Sequence, residues 1–177
     1  MTADTRRRQL LAGGAALGWF CINGSWLQAT PAQAQADGFA PQHLSVAQCS
    51  AMNVIADALV PGAHVAGIAA YIDSQLSAKN DSLLLVKYLG VPTTAQSGFY
   101  RPALDSCIRL LATDDMTPQL ALTAMGTDAV SDWQGPPASF FSFVLRADAL
   151  DVVYGTEQGF ARLDIPYRAH ITPKKPW

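Results

Sequence analysis

The chain has 177 residues, of which 12 are basic and 14 acidic, for a net charge of −2, and half are apolar. The 141 residues from Asp37 onward are enough for one domain with a real core and too few for two. The acidic residues are scattered and nearly all Asp, with Glu157 the single Glu. This pattern excludes a nucleic-acid binder and marks a solvated surface rather than an acidic tail.

The chain opens with Arg6, Arg7 and Arg8, an apolar run from Leu10 to Ile22, and a small-residue stretch, "ATPAQAQA". That is the layout of a removable signal peptide. The run is about 13 residues long and a spanning helix needs roughly 20, which disfavours a transmembrane anchor. Thr5-Arg6-Arg7 followed by Leu10 resembles the twin-arginine signal, whose pathway carries folded proteins, with Gln9 where Phe is usual. An ordinary secretory signal is the alternative. Cys21 follows Phe20, too bulky for a lipoprotein site, so Ala34 and Ala36 are the better cleavage points. The expected organisation is a cleavable signal over 1–36 and a single helical domain over 37–177, whose 9 basic and 13 acidic residues give −4.

Within that domain, Leu44-Ser45 followed by Gln48 and Cys49 predicts a capping box and a hydrophobic staple. Val46, Cys49, Met52, Ile55, Ala56 and Leu59 then recur at helical spacing until Pro61-Gly62. A second helix is predicted over Ile68–Ala78. A third is "SLLLVKYL", capped by Asn80 or Asp81 and closed by Gly90 and Pro92. After a polar loop, Tyr100, Leu104, Ile108 and Leu111 mark a fourth, with Pro102 in its first turn. Thr117-Pro118 opens a fifth through Met125. The last helix runs from Ala138 to Tyr154, with Gly155 as its C-cap. Its main apolar stripe is Phe140, Phe143, Ala147, Leu150 and Tyr154. A second stripe is Phe141, Leu145, Ala149 and Val152, leaving a narrow polar strip at Ser142, Arg146 and Asp148. A helix apolar nearly all round is the centre of its own bundle or lies beneath a partner. No alternating strand pattern stands out, so the expected fold is all-α: a compact bundle of about six helices with an extended C-terminal tail over 155–177.

Residues that carry chemistry are sparse. There is no Gly-rich dinucleotide cradle, no haem-attachment or iron–sulfur cysteine pattern, and His43, His64 and His170 lack metal-site spacing. Asp114-Asp115 reads as a favourable charge before a helix rather than as an acid/base pair. No catalytic, cofactor-binding or metal residue is therefore assigned. Cys49 and Cys107 are readable as buried free thiols, as an internal disulfide, or as an intermolecular bond. The tail, "YGTEQGFARLDIPYRAHITPKKPW", interleaves large aromatics with Arg and Lys, the composition of interface hot spots. Together with the apolar last helix it makes Phe140, Phe141, Arg146, Tyr154, Tyr167 and Trp177 the candidate partner-interface residues. A tail wrapped on its own bundle is the alternative.

"LSVAQCSAMNVIADALVPG", "AAYIDSQL" and "FFSFVLRADALDVVYGTEQGFARLDIPY" together resemble the gluconate 2-dehydrogenase subunit 3 family. The likeness runs from Leu44 to Tyr167. It rests on Ile55-Ala56-Asp57 leading to Pro61, Tyr71-Ile72-Asp73, and the Phe140-Phe141 helix running into Tyr154-Gly155 and Pro166-Tyr167. The resemblance implies a small subunit that itself holds no cofactor. Its partner would be a large FAD-binding subunit oxidising a sugar, sugar acid or polyol, with electrons passing to a multihaem cytochrome c. It also implies that Arg6 and Arg7 supply the export signal for a flavoprotein lacking one, giving a periplasmic complex held at the inner membrane through its partners. Many members have Tyr-Gly-Gly-Asn where this chain reads Tyr154-Gly155-Thr156-Glu157, so the likeness implies a substrate class and not gluconate itself. The rival expectation is a stand-alone periplasmic protein, either a ligand-binding module or a cofactor-free enzyme, with a concave pocket of convergent polar groups.

Overall fold

The computed structural model describes residues 18–77 and 82–165. These residues are mostly helical, with one two-stranded sheet. In chain order they form β1 (Gly18–Ile22), β2 (Ser25–Ala29), α1 (Pro31–Ala36), α2 (Val46–Leu59), α3 (Ile68–Leu76), α4 (Leu85–Tyr88), α5 (Thr93–Leu111), α6 (Pro118–Gly126), α7 (Ala138–Tyr154) and α8 (Glu157–Arg162).

Where local chemistry is strong, expectation and structure coincide. Ser45 caps α2 by accepting from the Gln48 N–H, while the Gln48 side chain accepts from the Ser45 N–H, a closed capping box. Thr117 accepts from the Leu120 N–H at the start of α6, with Pro118 in its first turn. Helix α7 spans the predicted residues, and Gly155 is its C-cap.

Four expectations need correction. The fold is not all-α: β1 and β2 pair antiparallel, with Gly18 opposite Ala29 and Ile22 opposite Ser25. Asn23 and Gly24 supply the turn, at φ of 50° and 78°. That positive-φ pair is the signature of a two-residue hairpin loop whose twist matches the strands. Among the described residues there are eight helices, the tail contributing one of them, α8, capped by Thr156 accepting from the Gly159 N–H. The "SLLLVKYL" segment yields only the four-residue α4, and the Asn80 and Asp81 caps lie outside the described residues. Finally, α5 starts at Thr93, so Pro102 is inside the helix rather than in its first turn. Pro102 has no N–H to give, and the Gly98 carbonyl loses its usual partner there.

The main core is built by α2, α3, α5, α6 and α7 around Met52, Ile55, Ile68, Ile72, Tyr100, Leu104, Met125, Phe141 and Leu145, all fully buried. Helix α7 packs against α2, α3, α4, α5, α6 and α8, which accounts for a sequence apolar on most sides. A smaller core joins the hairpin and α1 to α3: Phe20, Ile22, Ala29 and Ala34 close on Ala70, with Phe39 against them.

Two aspartates of the sequence motifs hold loops rather than a reaction centre. Asp73 on α3 is buried, and its Oδ1 accepts the His43 and Leu44 N–H groups at 2.9 and 2.8 Å while Oδ2 accepts that of Gln42 at 2.9 Å. Asp57 near the end of α2 accepts the Gly62 and His64 N–H groups at 3.0 and 3.2 Å. Each carboxylate collects backbone donors that a turn leaves unpaired.

Candidate functional site

Three features outside simple packing stand out: the outward ridge of α7, a buried acid beneath it, and a groove between α1, α2 and α6.

On α7 the two apolar stripes exchange the roles suggested by their composition. Phe141, Val144, Leu145, Ala149, Val152 and Val153 face the core. Phe141 is fully buried, 6.1 Å from the Tyr100 ring and 6.0 Å from Trp133, and is therefore corrected from an interface candidate to a core residue. The other stripe looks outward. Phe143 is 57% and Leu150 40% exposed, with Phe140, Ala147 and Tyr154 half-buried along the same ridge. Phe140 meets Phe99 edge-on at 5.8 Å and stacks on Phe143 at 6.5 Å, so it links the core aromatics to the exposed end of the ridge. Arg146 is exposed. Of the other candidates, Arg6, Arg7, Tyr167 and Trp177 lie outside the described residues.

Asp148 belongs to neither ridge nor polar strip. It comes two residues after Arg146, about 200° round the helix, and so points to the far side, into the core. It is completely buried, accepting the Tyr100 hydroxyl at 2.6 Å and the Leu85 N–H at 2.9 Å. Burial pushes its carboxyl up to about 6, against the lowering effect of those two donors, and nearby Asp151 adds to the rise. Burial and the same carboxylate push the Tyr100 phenol well above its ordinary value. The pair joins α4, α5 and α7 through one carboxylate.

The groove has a volume of about 620 Å³. Its polar lining is Gln35 from α1, Ser50, Asn53 and Asp57 from α2, His64 from the following loop and Gln119 from α6. Phe39, Val46, Val54 and Pro118 supply apolar wall. The side-chain oxygens of Gln35 and Asn53 are buried without a hydrogen-bond partner. The Ser82 hydroxyl and the Gln96 amide, away from the groove, are likewise buried without a partner, so what sets the groove apart is that its two unpaired oxygens border a space a ligand donor could enter. Asp57 and His64 do not form a catalytic pair. The carboxylate holds the backbone N–H of His64, while its ring Nε2 meets the Gln35 amide nitrogen at 3.3 Å.

Cys49 and Cys107 are free thiols, buried on α2 and α5, and burial pushes each up to about 12. The internal disulfide weighed on sequence is thus absent from this structure. Among the described residues no group of three His, Cys, Asp or Glu side chains is placed to hold a metal ion, and no helix is long and apolar enough to cross a membrane.

Sequence reasoning placed Asp148 in the outer polar strip of α7, a reading its complete burial corrects, and did not find the groove. A lone Asp amid the apolar residues of α7 is a signal for the first. The second draws on positions far apart in the chain and has no local signature. No protein-family model matches the chain, and comparisons with curated proteins and with solved structures return no match.

Proposed function

We propose that this chain is the non-catalytic small subunit of a periplasmic flavin-dependent dehydrogenase that oxidises a sugar, sugar acid or polyol. In this reading it docks on a large FAD-binding subunit through the ridge of α7 and escorts that subunit through twin-arginine export. Electrons leave the flavin for a multihaem cytochrome c.

The observation that carries the reading is the outward ridge of Phe140, Phe143, Leu150 and Tyr154. Single exposed apolar residues are ordinary. A run of them on one helix ridge, with Phe140 stacked on Phe143 and meeting Phe99 of the core, is a surface that a partner would cover. Arg146 beside it suits the polar rim of such an interface. The identity of the partner comes from the resemblance in the three motif stretches.

The test is capture of the tagged full-length chain from periplasm and solubilised membranes of a host that co-expresses a large flavoprotein dehydrogenase subunit. A larger protein with oxidised-flavin absorption, with or without haem bands, is the expected eluate. A colourless single species, with flavoprotein expression confirmed, rules the subunit reading out.

One observation favours a second reading. The groove with its two unpaired amide oxygens suits a stand-alone module for a small ligand bearing N–H or O–H donors. That protein would elute alone, and a small molecule extracted from it would restore thermal stability lost on exhaustive dialysis.

A further inference from the structure

The stretch that reads as the end of an export leader is, in the structure, a folded piece of the domain. Gly18–Ile22 and Ser25–Ala29 form the hairpin, and Pro31–Ala36 forms α1. Three independent local signals specify them. Asn23-Gly24 makes the hairpin turn. Thr30 accepts the Gln33 N–H while the Gln33 side chain accepts that of Thr30, a second closed capping box. Pro31 occupies the first helical turn, where its missing N–H costs nothing.

The segment is also fastened to the body. Phe20, Ile22, Ala29 and Ala34 bury themselves against Ala70 of α3. The Phe39 N–H donates to the Ala34 carbonyl at 2.9 Å and the Ala40 N–H to that of Cys21 at 2.7 Å, which ties hairpin and helix to the chain that follows. At Gly67, φ is +85° and a Cβ would lie 2.2 Å from the Pro31 carbonyl oxygen, so the body leaves space at this position for α1 and only glycine fits. Gln35 of α1 then lines the groove.

A processing protease needs its peptide bond extended and exposed, and a bond held in packed structure is cut only when that structure opens. Cleavage after Ala34 would break α1 at a side chain with no exposure, and cleavage after Ala36 would discard the whole hairpin and uncover Ala70. We propose that residues 18–36 are retained in the working protein as a clasp on α3, and that any leader removed on export ends before Gly18. The inference does not depend on which partner or ligand the protein binds.

The test uses the full-length chain with a C-terminal tag, expressed in an export-competent bacterium. Intact mass and N-terminal sequencing of the folded product recovered from the periplasm should place its first residue at or before Gly18. Hydrogen exchange on the same product should show the Phe39 and Ala40 amides protected about a hundredfold or more over free peptide. A folded product beginning at Gln35 or Asp37 overturns the proposal. So does a product that keeps Gly18 but exchanges those two amides at the unprotected rate while α2 and α3 remain protected.

Discussion

The Tyr100 hydroxyl donates to Asp148 at 2.6 Å inside a core where neither residue has any exposed surface. Because burial lifts the Asp148 carboxyl to about 6, the folded chain holds this proton at pH values where the unfolded chain has released it. Folded Asp148 therefore binds more protons than unfolded Asp148 between about pH 4 and pH 6, and stability from this group falls as pH rises through that window, then levels off. The shift corresponds to roughly 2–3 kcal/mol. Burial raises Asp151 as well and acts in the same direction. Asp148→Asn keeps an oxygen for the Leu85 N–H and gives Tyr100, whose hydroxyl also accepts, an N–H in return. Denaturant titrations should find this variant at least as stable as wild type at pH 7, with the difference vanishing near pH 4. A constant difference across that range would show that Asp148 titrates in the ordinary carboxylate range.

Asp73 gathers three backbone N–H groups that nothing else is shown to satisfy. Asp73→Ala should cost on the order of 3 kcal/mol or more, since those donors are left partly buried. Asp73→Asn should cost about 1–2 kcal/mol, because one oxygen remains while the amide nitrogen faces a donor. Equilibrium urea unfolding separates the two, and equal losses would contradict this division of labour between the oxygens.

The thiols offer a chemical check. With Cys49 and Cys107 pushed up to about 12, little thiolate exists at neutral pH, whereas Cys21 on β1 is half-exposed. In the native full-length chain a chromogenic thiol reagent should modify Cys21 quickly and the other two only after unfolding. Reduction should leave the intact mass unchanged.

The ridge of α7 invites substitution that spares the fold. Phe143→Ser and Leu150→Ser change positions that are 57% and 40% exposed, so thermal midpoints should move by little, about 1 kcal/mol or less in stability. Co-purification of a flavoprotein should fall at least tenfold for the double variant. Phe141→Ala behaves differently: it should lose about 3–5 kcal/mol of stability, the cost of emptying a packed aromatic site.

Legibility in the sequence followed how local the cause was. The α2 and α6 entrances could be read because Ser45, Gln48, Thr117 and Pro118 act within one turn of themselves. The hairpin could have been read as well, since Asn23-Gly24 between apolar residues is a strong turn signal. The same letters also fit the apolar run of an export leader, so the local signal is ambiguous until Phe20, Ile22 and Ala29 are seen to pack on Ala70. On α7, composition alone does not decide which of two apolar stripes faces inward. The choice is made by Phe99, Tyr100 and Trp133, which receive Phe141 from other elements. The groove is least legible of all, since Gln35, Asn53, His64 and Gln119 meet only once α1, α2 and α6 are assembled.

The carboxylate of Asp73 also bears on the order in which the chain organises itself. Its partners Gln42, His43 and Leu44 lie 31, 30 and 29 positions earlier, so the link closes a long loop. Closing about 30 residues of flexible chain costs roughly 3 kcal/mol of entropy, which is recovered only when both ends are in place. Helix α2 can nucleate from its own capping box, whereas the N–H groups of Gln42, His43 and Leu44 gain their Asp73 partner only when α3 is in place. That junction is a late latch. Substitutions at Asp73 should accelerate unfolding more than they slow folding, and so shorten the lifetime of the native state without obstructing the route to it.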